Sequence, residues 1–551
     1  MGRTSLKTCL VFGASLILSG CLSWKQPTPH TVSENYCGFV RHELVIGGHS
    51  EPDTNVSQLR PVSAPAPFSV PAPVAMSMSA ASDSSANDPC ADSLNSFQSG
   101  VLCALNNPVQ PPMPVVPPIT PPSVPPGIPG PYPPSPPPPV VLPPRFEPEP
   151  KAPPMLFLSG GNLNGAFGAG FLEGWAETRG VLRAEQTRGP YETGPFIKAK
   201  YALPDFSVVT GVSTGAILSL SAYANVPEAA REGYDIEGEH EVLDVNVSPR
   251  GKTTPIRDMI KTLNNGAATD LKPMRDSLIR VVDDYGLLDR IAAKTARDNS
   301  KLYVGVVDLD TGGAYALDMT DMATRIMYEK TQTFNTEKET LYRNCFFDAI
   351  VASSAVPLAA RPVSIDNRLY IDGGARFLVF TNQVGPILEN NPNRKFKADG
   401  TPQEQDVFTI INGDQTLEPV CKKKDPLDCY GNGQSGFEGA RKDWTLLDVA
   451  LRAVDVLSAQ VKEYSEFDVE TQAGQQAGAN YDSIKLETSF LNHLYYEPPS
   501  ATNGLLSGTM KSCADWLAYE KETSDAQKFH QIYMRCLIDL GRLKAAEKNW
   551  N

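Results

Sequence analysis

The stretch that decides the fold is FSVVTGVSTGAILSLSAYA, residues 206–224. It starts with a short apolar run, passes through a G-x-S-x-G motif at residues 211–215, and continues into small apolar residues. A strand, a tight turn and a helix in this order lift a serine hydroxyl clear of the backbone, because the glycines let the turn close without Cβ clashes. A plain Gly-Ser turn is the alternative. The stretch predicts an α/β unit with Ser213 as candidate nucleophile.

The same alternation of strand and helix continues on both sides of this stretch. Further short apolar runs, typical of buried strands, lie at residues 155–158, 302–307, 369–371 and 407–411. Helix-like segments lie at residues 166–177, 444–463 and 509–548. Short apolar strands between helices indicate an α/β fold with a mainly parallel sheet covered on both faces. We interpret the wide apolar stripe of residues 444–463 as the side of a helix that packs into the core.

Composition and charge limit the classes of function. The chain has 551 residues and a formal net charge of -14, which argues against a general nucleic-acid binder, because phosphate contacts need clustered Lys and Arg. No run of about 20 apolar residues occurs, which excludes a protein with several transmembrane helices. The chain has only six histidines and no C-x₂-C pair, so a metal site is not expected. We predict no metal, no cofactor and no nucleic-acid partner.

Residues 1–20 have the features of a secretory signal. Arg3 and Lys7 precede a short apolar core, which ends in Leu-Ser-Gly before Cys21. This ending resembles the lipobox of bacterial lipoproteins, in which the cysteine is acylated; an ordinary signal peptide with a chance cysteine is the alternative. Leu22 is not the aspartate that often marks retention in the inner membrane. We therefore expect a protein of the bacterial cell envelope, anchored through Cys21 in the outer membrane by several acyl chains.

Two segments of unusual composition follow the signal. Residues 21–107 are irregular and of low complexity, which predicts a mostly disordered segment, with residues 42–46 as a candidate short strand. Residues 108–154 hold about half of the 49 prolines and favour polyproline II, which at about 3.1 Å per residue could extend on the order of 140 Å. We interpret this tract as a spacer between the anchor and a body at residues 155–551. A ligand for a proline-binding partner is the alternative.

The cysteines fit an exported protein. With Cys9 and Cys21 set aside, eight remain, and an even number suggests disulfides. Three pairs would close short loops: Cys90–Cys103, Cys421–Cys429 and Cys513–Cys536. A free buried thiol is the alternative, and it is most plausible for Cys345.

Two further segments carry residue types suited to catalysis. SGGNLNG at residues 159–165 lies between a strand and a helix, where a glycine-rich turn directs backbone N–H groups at an anion. The anion is either a nucleotide phosphate or the oxyanion of acyl transfer; no G-x-x-x-x-G-K-[ST] follows, which weakens the first. Asp372 closes an apolar strand before Gly373 and Gly374 and can serve as a general base. A common Asp-Gly turn is the alternative.

Taken in this order, the three segments resemble the patatin-like phospholipase family, and so do ASSAVP at residues 352–357 and VDLDTG at residues 307–312. The resemblance implies a patatin-like three-layer sandwich over about residues 155–545. It implies a Ser–Asp dyad in which Ser213 is the nucleophile and Asp372 accepts its proton and then activates water. It also implies an oxyanion hole made by the backbone N–H groups of Gly160, Gly161 and Asn162.

The chain departs from the family pattern in this loop. The family has a third glycine followed by Arg or Lys, whereas this chain has Asn162 at the glycine and Asn164 at the basic position. Asparagine tolerates a positive φ better than most residues, so the loop can keep its shape. The positive charge, however, is missing from the loop.

The predicted function is a lipid acyl hydrolase that cleaves phospholipid or lysophospholipid through an acyl-enzyme. A general carboxylesterase or thioesterase uses the same residues and is one alternative; a non-catalytic envelope lipoprotein is the other. A Ser213–Asp372–His493 triad would have the chain order of other hydrolases. We favour the dyad, because it needs no histidine, and interpret His240, His493 and His530 as surface or packing residues.

Overall fold

The computed structural model describes residues 36–44, 152–183, 201–245, 269–332, 336–380, 404–413, 446–475, 479–499 and 508–550 without 525 and 527. Some sequence predictions concern other residues and stay predictions. They are the signal at residues 1–20, the lipidation of Cys21, most of the segments 21–107 and 108–154, and the pairs Cys90–Cys103 and Cys421–Cys429. Within the described ranges no helix is long and apolar enough to cross a bilayer.

Strands and helices alternate along the body, as the sequence predicts. The strands are β1 (Arg41–Leu44), β2 (Ala152–Leu158), β3 (Val208–Val212), β4 (Asp244–Val245), β5 (Thr269–Asp270), β6 (Lys301–Asp308), β7 (Ala314–Asp318), β8 (Val363–Ile365), β9 (Arg368–Asp372), β10 (Gln405–Ile411), β11 (Ala479–Lys485), β12 (Tyr495–Tyr496) and β13 (Lys511–Ser512). The helices are α1 (Gly165–Arg179), α2 (Thr214–Tyr223), α3 (Pro227–Tyr234), α4 (Lys272–Asp284), α5 (Leu287–Asp298), α6 (Met319–Gln332), α7 (Thr336–Ser353), α8 (Leu446–Gln475), α9 (Cys513–Thr523) and α10 (Gln531–Lys548). The five strands expected from apolar runs are all confirmed.

One sheet holds nine of the described strands. Its main path is β1-β7-β6-β3-β2-β10-β11, with β9 paired to β6 and to β8. The neighbours β6, β3, β2, β10 and β11 run parallel, whereas β1, β7, β8 and β9 pair antiparallel. The predicted mainly parallel sheet is therefore confirmed, with antiparallel strands at one side.

Both faces of the sheet are buried, which makes the fold a three-layer sandwich. Side chains alternate between the faces of a strand, so Leu156 and Leu158 enter a large core with α1, α2 and α10. Met155 and Phe157 enter a smaller core on the other face, which residues 377–380 cover. Helix α8 lies on this second side. Burial on both faces explains why the central strands are continuous apolar runs in the sequence.

The C-terminal helices are fixed to the body by close packing and by a disulfide. A Cβ on Gly170 of α1 would lie 1.9 Å from the carbonyl oxygen of Ile538, so α10 approaches α1 closely only because that residue is glycine. Cys513 of α9 is bonded to Cys536 of α10. The helical prediction for residues 509–548 and the predicted pair Cys513–Cys536 are therefore both confirmed.

Residues 36–44 join the body although they lie in the segment expected to be mostly disordered. Strand β1 pairs with β7 at the sheet edge and overlaps the candidate strand at residues 42–46 over residues 42–44. Cys37 is bonded to Cys345 of α7, 308 positions further along the chain. The free-thiol alternative for Cys345 is therefore wrong, because β1 brings a second cysteine beside it. Residues 45–151, which contain most of the Pro-rich tract, therefore begin and end on the body. The interpretation of this tract as a spacer between the anchor and the body is wrong, because residues 36–44 join the body ahead of it.

Replacing Cys37 and Cys345 together by serine is expected to lower the free energy of unfolding by about 2–4 kcal/mol, since a bond that closes a very long loop restricts the unfolded chain strongly. Thermal and denaturant unfolding of the double variant would measure the loss. Replacing Cys513 and Cys536 is the matched comparison; their separation of 23 residues predicts a smaller loss. The reverse order would contradict this account.

The helix expected at residues 444–463 is part of α8, but the prediction that its apolar stripe packs into the core is wrong. Val456 and Leu457 are exposed. Ser465 is buried instead, and its hydroxyl accepts a hydrogen bond from the backbone N–H of Leu378 at 3.2 Å. The period of 3.6 residues identifies which side chains share a face of the helix, but not what that face contacts.

Candidate active site

The loops that carry the candidate residues leave the sheet at one level. Leu158, near the end of β2, is paired with Gly211 in β3 and with Ile410 in β10. The residues just beyond these strand ends include Gly160, Ser213 and Asn412. Ligands bind at the carboxyl ends of parallel strands, so this edge is the place to look for a site.

Strand β6 brings Ser213 and Asp372 together. Its residue Gly305 is paired with Val212 of β3, and the next residue, Val306, is paired with Asp372 of β9. The end of β9 therefore lies against the end of β3. As a result, the Ser213 hydroxyl lies close enough to the Asp372 carboxylate to lower its pKa.

Ser213 has a strained backbone. Its φ of 55 and ψ of -124 lie in a region that residues other than glycine rarely adopt, and such a conformation costs about 1–3 kcal/mol. The backbone N–H of Ser213 donates to the hydroxyl of Ser353 at 2.9 Å, and that hydroxyl donates to the carbonyl of Gly305 at 2.7 Å. Helix α2 begins at the next residue, so its positive end lies beside the serine. This is the geometry expected of a raised nucleophile.

Asp372 is a buried carboxylate with defined partners. Burial raises its pKa from the usual value to about 6, while the nearby Ser213 hydroxyl, the hydrogen bond from the Gly374 backbone N–H and the charge of Lys462 act in the opposite direction. The Gly374 N–H lies 2.7 Å from its Oδ1. A carboxylate with a pKa near neutrality is a better proton acceptor for a hydroxyl than an ordinary aspartate.

This raised pKa predicts that Asp372→Asn stabilises the fold at neutral pH. Between about pH 4 and pH 6 the folded protein binds more protons than the unfolded chain, so the free energy of unfolding falls as the pH rises. The buried charge therefore costs up to about 3 kcal/mol above pH 6. We expect Asp372→Asn to raise the Tm at about pH 7.5 and to have little effect near pH 4. The exposed Asp310→Asn is the matched control, and an unchanged or lowered Tm at neutral pH would contradict the prediction.

The loop of Gly160, Gly161 and Asn162 runs beside Ser213. A Cβ on Gly160 would lie 3.1 Å from the Cβ of Ser213. Asn162 has a φ of 57, in the left-handed region that asparagine tolerates, so the loop keeps the backbone shape for which the family uses glycine. Within the described part of the chain, the backbone N–H groups of these three residues make no hydrogen bond, which leaves them able to bind an anion.

Asn412, which sequence analysis did not identify, holds this loop in place. Its backbone N–H donates to the hydroxyl of Ser159 at 2.7 Å, and its Nδ2 donates to the carbonyl of Ser159 at 2.9 Å. A Cβ on Gly161 would lie 1.6 Å from the carbonyl oxygen of Asn412. Only glycine fits at position 161, because β10 and the loop are in direct contact there.

None of the described histidines has Ser213 or Asp372 among its identified contacts. His493 is exposed and its Nδ1 lies 3.3 Å from the Nζ of Lys544 on α10. His240 is exposed in a short 3-10 helix. His530 is buried just before α10. These contacts favour the dyad over a Ser213–Asp372–His493 triad.

Lys462 of α8 brings a positive charge to the loop. A methyl group built on Gly413 would lie 3.8 Å from the Nζ of Lys462, 3.9 Å from the Nδ2 of Asn164 and 4.0 Å from the Cα of Gly161. The Lys462 ammonium thus lies near the position where the loop itself lacks a basic residue. Sequence analysis missed it because about 300 residues separate Lys462 from the loop and no motif surrounds it.

A cavity of about 110 Å³ opens beside Ser213 and is lined mainly by apolar side chains. Part of its wall is one face of α4, whose lining residues recur at helical spacing: Met274, Leu278, Val281 and Val282. With Leu271, they extend over roughly 16 Å at 1.5 Å per residue. Ile217 and Leu220 of α2 complete the wall on the side of the serine. An apolar cavity of this form suits an acyl chain.

Residues 156–392 match the family model of the patatin-like phospholipases. This part of the chain is a patatin-like phospholipase domain. A search of the curated proteins found no match to the chain. The matched range contains Ser213, Asp372 and the glycine-rich loop, and at the level of the family it supports hydrolysis of lipid acyl esters. Asn412 and Lys462 lie beyond the matched range of the patatin-like domain.

The described residues contain no cluster of three or more His, Cys, Asp or Glu side chains able to hold a metal. VDLDTG at residues 307–312 forms the turn between β6 and β7 of the patatin-like domain. There Asp308 accepts hydrogen bonds from the N–H groups of Asp310 and Thr311 and pairs with Arg368. That segment supports the sheet and does not contribute to the site. ASSAVP, by contrast, contributes Ser353 to the serine turn and Val356 to the cavity wall.

Proposed function

We propose that the chain is a serine hydrolase that cleaves the carboxylic esters of phospholipid or lysophospholipid by a Ser213–Asp372 dyad. The observation that carries the proposal is the pairing of a strained serine with a buried carboxylate of raised pKa beside an apolar cavity. The patatin-like domain supports lipid acyl hydrolysis at the level of the family. The dyad and the acyl-enzyme are the finer part of the proposal.

In the first step the Ser213 hydroxyl gives its proton to Asp372 while its oxygen attacks the ester carbonyl. The oxyanion that forms is bound by the backbone N–H groups of Gly160, Gly161 and Asn162, each worth about 3 kcal/mol of transition-state stabilisation in a dry site. The proton passes to the leaving alcohol as the ester bond breaks. An acyl group then remains on Ser213.

In the second step Asp372 takes a proton from water, and the hydroxide formed attacks the acyl carbonyl. The same N–H groups bind the second oxyanion, and Ser213 recovers its proton when the fatty acid leaves. The hydrogen bond from Gly374 to Oδ1 holds the carboxylate in one orientation through both steps. No cofactor takes part in this sequence.

The apolar lining of the cavity favours a substrate with a long acyl chain over a small soluble ester. Each methylene group transferred from water into an apolar wall contributes about 0.8 kcal/mol. At 1.5 Å per helical residue, the α4 wall is roughly 16 Å long. This length is sufficient for an acyl chain of roughly ten methylene groups. We therefore expect the acyl part of the substrate to lie along α4 and the head group to lie outside.

We also propose that the body is attached to the bacterial outer membrane through acylated Cys21, on the basis of the signal and lipobox pattern. Metabolic labelling with a fatty-acid probe, compared between the full chain and Cys21→Ser, would test the anchor. Incorporation into the variant equal to that of the wild type would contradict it.

The function is tested by a fluorophosphonate probe together with a panel of phospholipids, lysophospholipids and short esters. We expect the probe to label the wild type, label Ser219→Ala equally, and leave Ser213→Ala unlabelled, because only Ser213 faces Asp372. Lipid turnover is expected to follow the same pattern. Turnover of short esters alone would favour the carboxylesterase or thioesterase. Absence of labelling in folded protein would favour the non-catalytic lipoprotein.

A further inference from the structure

Helix α8 presents its large apolar side chains to the outside. Val449, Val456, Leu457, Tyr464 and Phe467 are between 46% and 66% exposed. The side toward the body carries Ser465, which is buried against Leu378. Exposed apolar patches of this kind mark surfaces that contact a partner or a membrane.

These five side chains form one stripe. With 3.6 residues per turn, Val449, Val456 and Phe467 project in nearly the same direction, and Leu457 and Tyr464 fall within roughly 100° of them. From the first to the last the stripe is about 27 Å long. Tyr and Phe are residue types that tolerate the boundary between apolar chains and water. We call Val449, Val456, Leu457, Tyr464 and Phe467 the outer stripe.

Charge distinguishes between three possible partners of the outer stripe: a second copy of the chain, an anionic lipid surface and a zwitterionic lipid surface. The sequence of α8 contains six acidic and two basic residues, and the whole chain has a net charge of -14. A second copy would bring an equally acidic helix against this one, and an anionic lipid surface would be repelled in the same way. A zwitterionic phospholipid surface offers apolar contact without this repulsion.

The length of chain before the body points to the same occupant. Residues 22–36 separate the proposed lipidation site Cys21 from Cys37, which is bonded to Cys345 of the body. At about 3.3–3.6 Å per residue they span at most roughly 50 Å. If Cys21 is anchored, the body stays within that distance of a bilayer. The inner side of α8, through Lys462 and Ser465, meanwhile lies beside the candidate active site.

We propose that the outer stripe of α8 docks the body onto a zwitterionic phospholipid surface. The proposal rests on the proposed function, because it assigns the surface from which a lipid hydrolase would draw its substrate. Its test measures binding without turnover, so that docking and hydrolysis can fail separately.

The test uses the chain from residue 22, which keeps every residue that the structure describes, with Ser213→Ala so that lipid is not consumed. Flotation with phosphatidylcholine vesicles is expected to recover the protein. Leu457→Ser with Phe467→Ser is expected to lower the ratio of bound to free protein roughly tenfold or more, since two large apolar side chains no longer leave water. Tyr328→Ser with Met510→Ser, exposed apolar residues elsewhere on the body, is the matched control and should bind like the parent.

Three outcomes would overturn the proposal. The first is equal binding by the outer-stripe variant, and the second is stronger binding when phosphatidylglycerol is added. The third is a parent protein that does not bind vesicles but forms a concentration-dependent dimer, with no dimer formed by the outer-stripe variant. This outcome would assign the outer stripe to contact with a second copy of the chain. Retained docking with no lipid turnover by wild-type protein would contradict only the proposed function.

A separate observation concerns the inner side of α8. The Nζ of Lys462 and the Nδ2 of Asn164 both lie within 4 Å of a methyl group built on Gly413, and the Cα of Gly161 is equally near. We infer that Lys462 supplies, from a distant part of the chain, the positive charge that the oxyanion loop lacks at Asn164. The two nitrogen atoms are therefore at most about 8 Å apart, a separation over which a cation still stabilises an oxyanion in a site of low dielectric constant. It also favours the charged form of Asp372.

Lys462→Met is expected to lower kcat roughly tenfold to a hundredfold with a smaller change in KM, because the charge matters more once the oxyanion has formed. The acid limb of the pH–rate profile should move to higher pH, since Lys462 lowers the pKa of Asp372. Lys462→Arg should keep most of the wild-type kcat and a nearly wild-type pH–rate profile. The exposed Lys272→Met is the matched control. Wild-type kcat in Lys462→Met, or equal damage in Lys462→Arg, would overturn the inference.

Discussion

Replacing Asp372 by asparagine is expected to lower kcat by about 10³-fold in a protein that still folds. The amide keeps the shape of the carboxylate and its oxygen can still accept the hydrogen bond from the Gly374 backbone N–H, but it cannot take a proton. General base catalysis contributes about 10²–10⁴ to the rate of such reactions. In the wild type, kcat/KM should fall as the pH drops below about 6, because Asp372, whose pKa is raised to about 6, becomes protonated.

The control for this variant is Asp310→Asn, which changes an exposed carboxylate in the turn between β6 and β7 and should leave kcat unchanged. The variant's folding is checked by its Tm, which we expect to be higher than that of the wild type at neutral pH. Near-wild-type turnover by folded Asp372→Asn would remove the dyad. His493→Ala would then show whether a histidine acts as the base.

Replacing Leu278 by tryptophan is expected to lower kcat/KM for long-chain esters by about a hundredfold and to leave acetyl and butyryl esters nearly unchanged. Leu278 is buried in the α4 wall of the cavity, and an indole there fills the space in which we place the acyl chain. Excluding about four methylene groups costs about 3 kcal/mol, which corresponds to roughly a hundredfold in rate. A series of esters of increasing chain length measures the effect.

The matched control is Arg280→Trp, which adds the same bulk to the exposed side of α4. It should leave the chain-length profile unchanged. An equal loss for short and long esters in Leu278→Trp would indicate damage to Ser213 or its surroundings. An unchanged profile in the folded variant would mean that the acyl chain lies elsewhere.

Much of the sheet and of the site could be predicted because local sequence patterns fix them. A run of four to eight apolar residues followed closely by glycine favours a buried strand, so the ends of β2, β3 and β10 were predictable. The G-x-S-x-G turn placed Ser213 at a strand end. The identity of Asn162 was enough to predict that the loop keeps a positive φ, since the conformation depends on one residue.

The remainder depends on contacts between residues far apart in the sequence. Ser213 meets Asp372 because both β3 and β9 pair with β6, and no local pattern encodes that register. Lys462 and Asn412 reach the site from separate elements. Cys37 lies beside Cys345 only because the edge strand β1 pairs with β7. The error over α8 has a similar cause: its amphipathic pattern is real, but a sequence does not say whether the apolar face meets the core or the surroundings.

The bond between Cys37 and Cys345 has a consequence for proteolysis of the chain. A protease that cuts anywhere in residues 45–151 separates the chain into two pieces, but the disulfide and the pairing of β1 with β7 keep those pieces together. If Cys21 carries the proposed anchor, a cut within residues 45–151 would release the domain only after reduction of this bond. With the proposed anchor at Cys21, most of the long Pro-rich segment could then be lost without detaching the domain.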